Sequence, residues 1–457
     1  MSSEFLSSSF RDPSGFVFSH EGEIHRQVNQ RYREHFDRLT GSSLYEALVQ
    51  DHLLIPHEEA DPKLARTPEA YKILKPAQVP FISYPYEWSF SQFQDAGLAT
   101  LRIQKAAFEK GMVLKDASAY NIQFHEGRPL LIDTLSFETY REGSPWIAYR
   151  QYCEHFLGPL ALMAYRDVRL SQLLRRNIDG IPVDLTSSLL PARTRLKGAL
   201  LMHLHLHAKS QARHKDNPSA AKTARVSRAG LQGIIDSLEG ATRALALKSN
   251  TGVWADYYSD TNYSESAAAH KAELVASYIE RAAPKTVWDL GGNVGRYSRL
   301  AAERGIFTLS LDLDPAAVEL NYRACRKESI KTLLPLLIDL TNPSPGLGWA
   351  HQERASLQSR GPADLLMALA LIHHLAISNN TPLDRVAAYF ASLGRRLIIE
   401  FVPKGDSQVD RLLASREDIF DHYTQPGFEQ AFGRYFEVLD RQPIRDSKRT
   451  LYLLQTK

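Results

Sequence analysis

An apolar run that stops at a glycine-rich bend and re-enters a helix-compatible segment constrains this chain more than any other feature. It reads Val287-Trp288-Asp289-Leu290-Gly291-Gly292-Asn293-Val294-Gly295-Arg296-Tyr297-Ser298, and is followed by Leu309-Ser310-Leu311-Asp312-Leu313-Asp314-Pro315. A strand ending in a turn of small residues lets a ligand approach backbone N–H groups at a helix start, and an acid closing the next strand can grip a ribose diol. The pattern predicts a nucleotide-type pocket. A dinucleotide fingerprint needs glycine at the first, third and sixth positions. Counted from Gly291, the third is Asn293 and the sixth is Arg296, so a pyrophosphate cradle is disfavoured.

The surrounding sequence supplies the rest of such a fold. Apolar runs at 286–290, 307–312, 332–338, 363–371 and 396–401 are separated by segments able to hold helices, which is the pattern of a parallel sheet buried on both faces. Two closing runs, 435–439 and 450–455, flank a turn-rich stretch and predict a terminal antiparallel hairpin. Helical apolar spacing covers 230–247 and 267–283. The expected fold class is α/β: a C-terminal Rossmann-like doubly wound sheet ending in the hairpin, preceded by an N-terminal α+β domain.

The residues Asp289, Gly291, Asn293 and Gly295 resemble the first motif of class I S-adenosylmethionine-dependent methyltransferases, with asparagine where many members carry glycine. That resemblance implies S-adenosyl-L-methionine as the cofactor. The bend from Gly291 through Gly292, Asn293 and Gly295 would bring backbone donors to the methionine carboxylate, and Asp289 would orient the ammonium. Asp312 falls at the ribose-binding acid. Asp339 falls at the adenine-amino acceptor, with Leu340 giving its N–H, although Asp-Leu-Thr-Asn-Pro is also ordinary turn chemistry. Asp314, followed by Pro315, reads as a helix cap. After the fourth strand, His373 and His374 lie where the superfamily faces the transferred methyl group, and a histidine near its ordinary pKa can take a proton from a hydroxyl nucleophile. Loop hydrogen bonding is the competing role for both. Glu400, ending the fifth strand, is a candidate substrate contact, and Trp254 and Tyr258 could form an aromatic lid over substrate. The C-terminal half, with Glu400–Lys404 and Ser415–Phe420, also resembles rhizobial nodulation proteins of the NoeA type.

In the N-terminal half, Leu114-Lys115-Asp116-Ala117-Ser118-Ala119-Tyr120-Asn121 followed by Leu130-Leu131-Ile132-Asp133 resembles kinase-like phosphotransferases. The resemblance implies a catalytic acid at Asp116 and metal-binding residues at Asn121 and Asp133. Leu114 replaces the usual histidine and no glycine-rich phosphate loop precedes it. Lys72 is the candidate phosphate-binding lysine. A degenerate substrate-binding or scaffolding domain is the favoured reading of this half.

Composition narrows the remaining classes. With 44% hydrophobic and 23% charged residues and no apolar run of about eighteen residues, the chain reads as globular with no membrane span. The serine-rich start lacks an apolar core, so no secretory signal is expected and the protein is read as cytoplasmic. Two cysteines, Cys153 and Cys325, are too far apart in sequence for a thiolate zinc motif. The run Met202–His207 alternates three histidines, yet no acid lies nearby, and no metal is expected. A formal charge of +3 does not imply nucleic acid. The expected division is a disordered 1–20, an N-terminal domain 21–208, a basic linker 209–230 and a methyltransferase domain 231–457. The expected acceptor is a small molecule or carbohydrate, methylated at oxygen. Three other classes compete: a small-molecule kinase fused to a methyltransferase-like fold, a nucleotide oxidoreductase and a non-catalytic scaffold.

Overall fold

Phe16 and Phe18 flank Val17 with the period of a strand, and this decides the fate of the N-terminus. The computed structural model describes residues 4–214, 225–247 and 264–457. The expectation that residues 1–20 are disordered is corrected over 4–20. There β1 (Glu4–Phe5) and β2 (Gly15–His20) join β3 (Glu23–Asn29), β4 (His57–Glu59) and β5 (Ala70–Pro76) in an antiparallel sheet of order β1-β2-β3-β5-β4. Phe18 is fully buried and stacks on His25 with ring centroids 5.6 Å apart. Serine-rich composition concealed two alternating phenylalanines.

The same unit continues through the helix Phe90–Glu109, started by a reciprocal cap between Ser89 and Gln92. Two short antiparallel ribbons follow, β6 (Met112–Leu114) with β9 (Phe137–Thr139) and β7 (Ile122–His125) with β8 (Arg128–Leu131). The class is α+β, as expected. Its limits are not those read from the sequence, because the unit comprises Met1–Lys248 together with Gly346–Arg354. The helix Arg228–Ala244 buries Leu231, Ile235 and Leu238. Its acids Asp236 and Glu239 pair with Lys105, and the carbonyls of Thr242 and Leu245 accept from the Gln94 amide at 2.8 and 2.7 Å. The boundary expected at 209–230 therefore moves to 248–249. Of the basic linker, residues 215–224 lie outside the described residues, while Arg228 donates to the Phe108 carbonyl and lies 4.5 Å from its ring centroid. The inserted segment is held by Glu353, which accepts from the Arg11 guanidinium at 2.6 Å and from the Trp349 N–H at 2.8 Å.

Two of the three alternating histidines, His203 and His205, are cross-links within this unit, while His207 bonds the His203 carbonyl and Gln211 of its own helical segment. His203 is hydrogen-bonded to the hydroxyls of Tyr149 and Ser237, each at 2.9 Å, and His205 to those of Ser187 and Thr194 at 2.8 and 2.9 Å. Burial pushes His203 down to about 4, helped by His207. Burial does the same to His155, again to about 4, with the Arg354 charge adding to it. An unfolded histidine titrates near 6.5. Between about pH 6.5 and 4 the unfolded chain thus binds protons that the folded rings refuse, so stability is complete above that window and falls as pH drops through it. Each ring is expected to contribute roughly 3 kcal/mol to this loss. Denaturant unfolding between neutral pH and the bottom of the window measures it, and His203→Gln should flatten the slope.

The second unit, Ser249–Pro345 with Ala355–Lys457, is the sheet foreseen from the apolar runs. Its strands are β10 (Thr286–Leu290), β11 (Phe307–Asp312), β12 (Leu333–Leu337), β13 (Ala363–Ala368), β14 (Gly394–Phe401), β15 (Phe436–Pro443) and β16 (Thr450–Thr456). They lie in the order β12-β11-β10-β13-β14-β16-β15, the first five parallel and the last two antiparallel. This is a Rossmann-like α/β sheet with a terminal hairpin. β13 stops at Ala368 rather than at the expected 371, and Ala370 has a left-handed backbone (φ 51°). One core cluster joins Val275 and Ile279 of the helix Glu265–Ala282 to Val287, Met367, Ile398 and Leu453 of four strands. Strand order reverses direction between β10 and β13, and in open sheets of this kind ligands enter at the carboxyl ends beside such a reversal. Among the described residues, no helix is long and apolar enough to cross a membrane.

Candidate cofactor site

The bend after β10 is tighter than the sequence reading required. Gly291, Asn293 and Gly295 all have positive φ (77°, 50° and 79°), a region open to glycine and tolerated by asparagine. A Cβ on Gly292 would stand 2.3 Å from the Ser310 hydroxyl, and one on Gly295 would stand 2.5 Å from the Asn321 amide. These glycines are dictated by packing. The expectation that the bend offers backbone donors to a ligand carboxylate is corrected. Gly291 and Gly292 donate to the Leu311 carbonyl at 2.8 and 3.0 Å, Gly295 to the Gly292 carbonyl, Val294 to the Asn293 side chain and Asn293 to Asp312. The N–H groups of the bend are satisfied, and only at Gly291, Gly292 and Gly295 does it present backbone bare of side chains.

Four acids were singled out around it, and they divide. Asp312 is half-buried at the end of β11. One of its oxygens accepts from the Asn293 N–H at 2.8 Å and the other from the Asp314 N–H at 2.9 Å, so the carboxylate is fixed with a lone pair left on each oxygen. Burial raises its pKa, and those two N–H groups oppose the rise. Asp289 is buried, accepts from the Ser298 hydroxyl at 2.6 Å, and is pushed by burial to about 6 against the pull of Ser298 and Lys271. Asp314 caps the helix Pro315–Glu328 by accepting from the Ala316 N–H at 2.8 Å, as the sequence indicated. Asp339 takes both the N–H and the hydroxyl of Thr341 on one oxygen, an Asx turn that leaves the second oxygen for other partners, with Leu340 half-buried beside it.

The tandem histidines do not share one environment. His374 is exposed, whereas His373 is 1% exposed and its Nδ1 is buried without a hydrogen-bond partner. Their ring centroids are 4.3 Å apart. Burial, then the neighbouring His374 and Arg449, hold His373 at about 3, so it is neutral at any ordinary pH. A shared catalytic role is corrected on that ground: only His374 can touch an acceptor. Glu400 as a substrate contact is likewise corrected. It is fully buried, 2.6 Å from the Lys271 ammonium on one oxygen and 3.2 Å from Arg449 on the other, and Arg449 forks onto Asp406 at 2.7 and 3.0 Å. Sequence reading missed this chain of charges. Its one local signal was Lys271, a lysine four residues from Ala267 and from Val275 in the buried stripe of its helix. Trp254 and Tyr258 lie outside the described residues.

The first unit gathers the other trio. Asp116 accepts from the Ser118 N–H, Asn121 reaches the Ser136 hydroxyl at 3.4 Å, and that hydroxyl donates to Asp133 at 2.6 Å. Arg26 contacts Asp133 at 2.5 Å. Burial would raise the Asp133 carboxyl, yet Arg26, Ser136 and Leu135 together hold it below the ordinary value. Lys72 does not approach this trio; it pairs with Glu59 at the surface.

Known proteins extend this picture. The chain is 34% identical over 458 residues to nodulation protein NoeA of Rhizobium meliloti, covering 98% of this chain and 96% of that protein. Magnesium protoporphyrin IX methyltransferase ChlM from Synechocystis, solved with bound SAH, aligns at 19% identity over 46% of this chain and 95% of its own, with a TM-score of 0.32. The bifunctional kinase-methyltransferase WbdD aligns at 15% identity over 44% of this chain and 41% of its own, with a TM-score of 0.30. No protein-family model matches the chain.

Proposed function

The chain belongs to the NoeA family of nodulation proteins, and from that premise we propose that its second unit is an S-adenosylmethionine-dependent methyltransferase. The acceptor is a small molecule or carbohydrate, methylated at oxygen. One observation carries the reading: at the reversal between β10 and β13, a bare glycine bend is clamped to a carboxylate at the end of the adjacent strand, with Asn293 N–H to Asp312 at 2.8 Å. The cofactor, when bound, supplies an electrophilic methyl group on a sulfonium.

Each residue then has a defined task. Asp312 accepts the two ribose hydroxyls on the lone pairs its backbone partners leave open. Asp289, buried at the end of β10, orients the ammonium through water rather than by contact, and the second oxygen of Asp339 receives the adenine amino group, with the Leu340 N–H beside it. His374 takes the proton released by a hydroxyl nucleophile. His373, neutral and buried, backs that ring. Holding nucleophile, methyl carbon and sulfur in line supplies most of the rate.

Calorimetric titration separates the competing classes. S-adenosylmethionine should bind, while NAD(P) should not; binding of NAD(P) alone would favour an oxidoreductase, binding of ATP with magnesium alone a kinase, and binding of none of them a scaffold. His374→Ala is expected to leave cofactor affinity intact and to slow turnover by about 10²–10⁴-fold, the usual worth of a general base. Comparing metabolites between strains with and without this protein, for a missing methyl group, identifies the acceptor. For the first unit we favour binding without phosphoryl transfer, because Arg26 occupies the carboxylate that a kinase commits to its divalent cation.

A further inference from the structure

Three polar side chains are buried against the glycine bend: Ser298 just after it, Ser310 on β11 and Asn321 on the helix Pro315–Glu328. A Cβ on Gly292 would stand 2.3 Å from the Ser310 hydroxyl and 3.2 Å from both the Ser298 hydroxyl and an Asp289 oxygen. Buried hydroxyls and amides need hydrogen-bond partners, and these find them in one another. The Asn321 amide nitrogen lies 3.0 Å from the Ser310 hydroxyl, that hydroxyl lies 3.0 Å from Ser298, and Ser298 lies 2.6 Å from Asp289.

Counting hydrogens gives this chain a direction. A guanidinium only donates, so Arg299, 3.3 Å from the Asn321 side-chain oxygen, turns the amide N–H toward Ser310. The Cys325 thiol, 3.6 Å from the same oxygen, is a second donor there. Ser298 has one hydroxyl hydrogen, and Asp289, the nearer oxygen and as a carboxylate only an acceptor, takes it. Ser310 then gives its own hydrogen to Ser298. In the opposite order a protonated Asp289 gives to Ser298 and Ser298 to Ser310, whose hydrogen is left against the Asn321 N–H. Only the first order spends every hydrogen along the chain, and a buried donor without an acceptor is costly. We propose that Ser298 and Ser310 are positioning residues for the cofactor: they carry a one-way line of hydrogen bonds from Asn321 to Asp289, and so hold Asp289 as an oriented carboxylate for the amino-acid end of the nucleoside.

The inference rests on the cofactor reading above, and it makes a distinct demand. Burial puts Asp289 at about 6 with Ser298 in place, so affinity for S-adenosylmethionine should fall as pH drops below that value. Of the charged groups around Asp289, Lys271 on the helix Glu265–Ala282 favours the carboxylate and Asp312 on β11 opposes it. Tyr297, pushed up to about 12 by burial, stays neutral, and on the adjacent strands Asp289 lies opposite Ser310 and Met367. Ser298→Ala leaves all of these in place and removes the donor that touches the carboxylate. In this variant the fall should begin about one pH unit higher, leaving binding about fivefold weaker near pH 6 and within about twofold of the wild type near pH 7.5. Ser310→Ala deletes the same kind of atom but takes away only the donor behind Ser298, and should move the fall by less.

Calorimetric titration of the full-length protein across pH tests this, with 5′-methylthioadenosine as the second probe because it keeps the ribose diol assigned to Asp312 and has no amino-acid end. Its pH profile should be the same in both variants as in the wild type. Equal loss of both ligands at every pH, equal effects of the two substitutions, or a profile that does not move would overturn the inference and leave the two serines packing residues. Unfolding gives a second readout, without ligand. Burial raises the Asp289 carboxyl, so the folded chain takes up that proton before the unfolded one, and stability rises as pH falls through the folded value. In Ser298→Ala that rise should start about one pH unit higher, so the stability gap to the wild type narrows between about pH 7.5 and about pH 5; a constant gap overturns the inference. Should Ser298→Ala fail to fold, the smaller shift in Ser310→Ala decides alone, and its absence overturns the proposal. If the gap narrows but the wild type binds neither ligand at any pH, the cofactor reading itself fails and the positioning role with it.

Discussion

Arg449→Ala should cost the protein about 3–5 kcal/mol of unfolding free energy, the usual penalty for removing one member of a buried ionic group. Arg449 is 4% exposed and is the cation between two anions, Glu400 and Asp406. Its loss leaves Glu400 with Lys271 but without the guanidinium, and Asp406 loses both bonds to it. The half-buried Asp406 carboxylate then keeps the Gln408 N–H but has lost its cation. The sign of the pH dependence separates this cause from simple loss of packing. In the wild type, burial raises the Asp406 carboxyl but Arg449 more than compensates, so its pKa lies below the ordinary value. A depressed acid contributes stability above its unfolded pKa and loses it as pH falls through the folded value. The variant lacks that contribution from the start, and acid protonates its unpaired anion. The gap between wild type and variant should thus narrow as pH falls below about 4, near the ordinary carboxylate value. Denaturant unfolding at neutral and acid pH measures it; a gap that stays constant would assign the loss to packing. Arg449→Met, which keeps most of the volume, should behave like the alanine variant if charge governs.

The contrast between Glu400 and Asp312 shows how far local sequence reaches. Both end a parallel strand, and both were read as facing a ligand. Periodicity located the strands closely: β10 and β11 begin and end where their apolar runs do, since parallel strands buried on both faces are mostly apolar throughout. What periodicity cannot convey is which partner approaches from elsewhere in the chain. Asp312 meets the neighbouring bend, 19 residues away, a distance at which strand, turn and strand form one local unit. Glu400 meets Arg449 at a separation of 49 residues, and Lys271 still further off, so nothing near it in sequence announced that it would be enclosed. The domain boundary failed for the same reason. Lys209–Arg228 looks like a linker by composition, but the helix that follows is tied through Thr242 and Glu239 to Gln94, Tyr152 and Lys105, which come much earlier in the chain. The bend is the opposite case. Its glycines were correctly flagged, but for ligand approach, whereas Ser310 and Asn321 impose two of them.

Asp312→Ala should weaken S-adenosylmethionine binding by about 10²–10⁴-fold. The range follows from two charge-assisted hydrogen bonds to a diol, each worth about 1.5–3 kcal/mol, at about 1.4 kcal/mol per decade of affinity. The residue also clamps the bend through Asn293 and the following turn through Asp314, so a fall in affinity alone does not isolate the ribose contact. Comparing adenosine with 2′,3′-dideoxyadenosine does. The dideoxy ligand never makes the two bonds, and its affinity should change little between wild type and variant, whereas adenosine should lose most of its advantage over it. Asp312→Asn keeps one acceptor oxygen and should fall between the two. If instead both nucleosides weaken together, Asp312 acts only by shaping the bend; if neither weakens, the ribose assignment is wrong and the bend accommodates some other ligand.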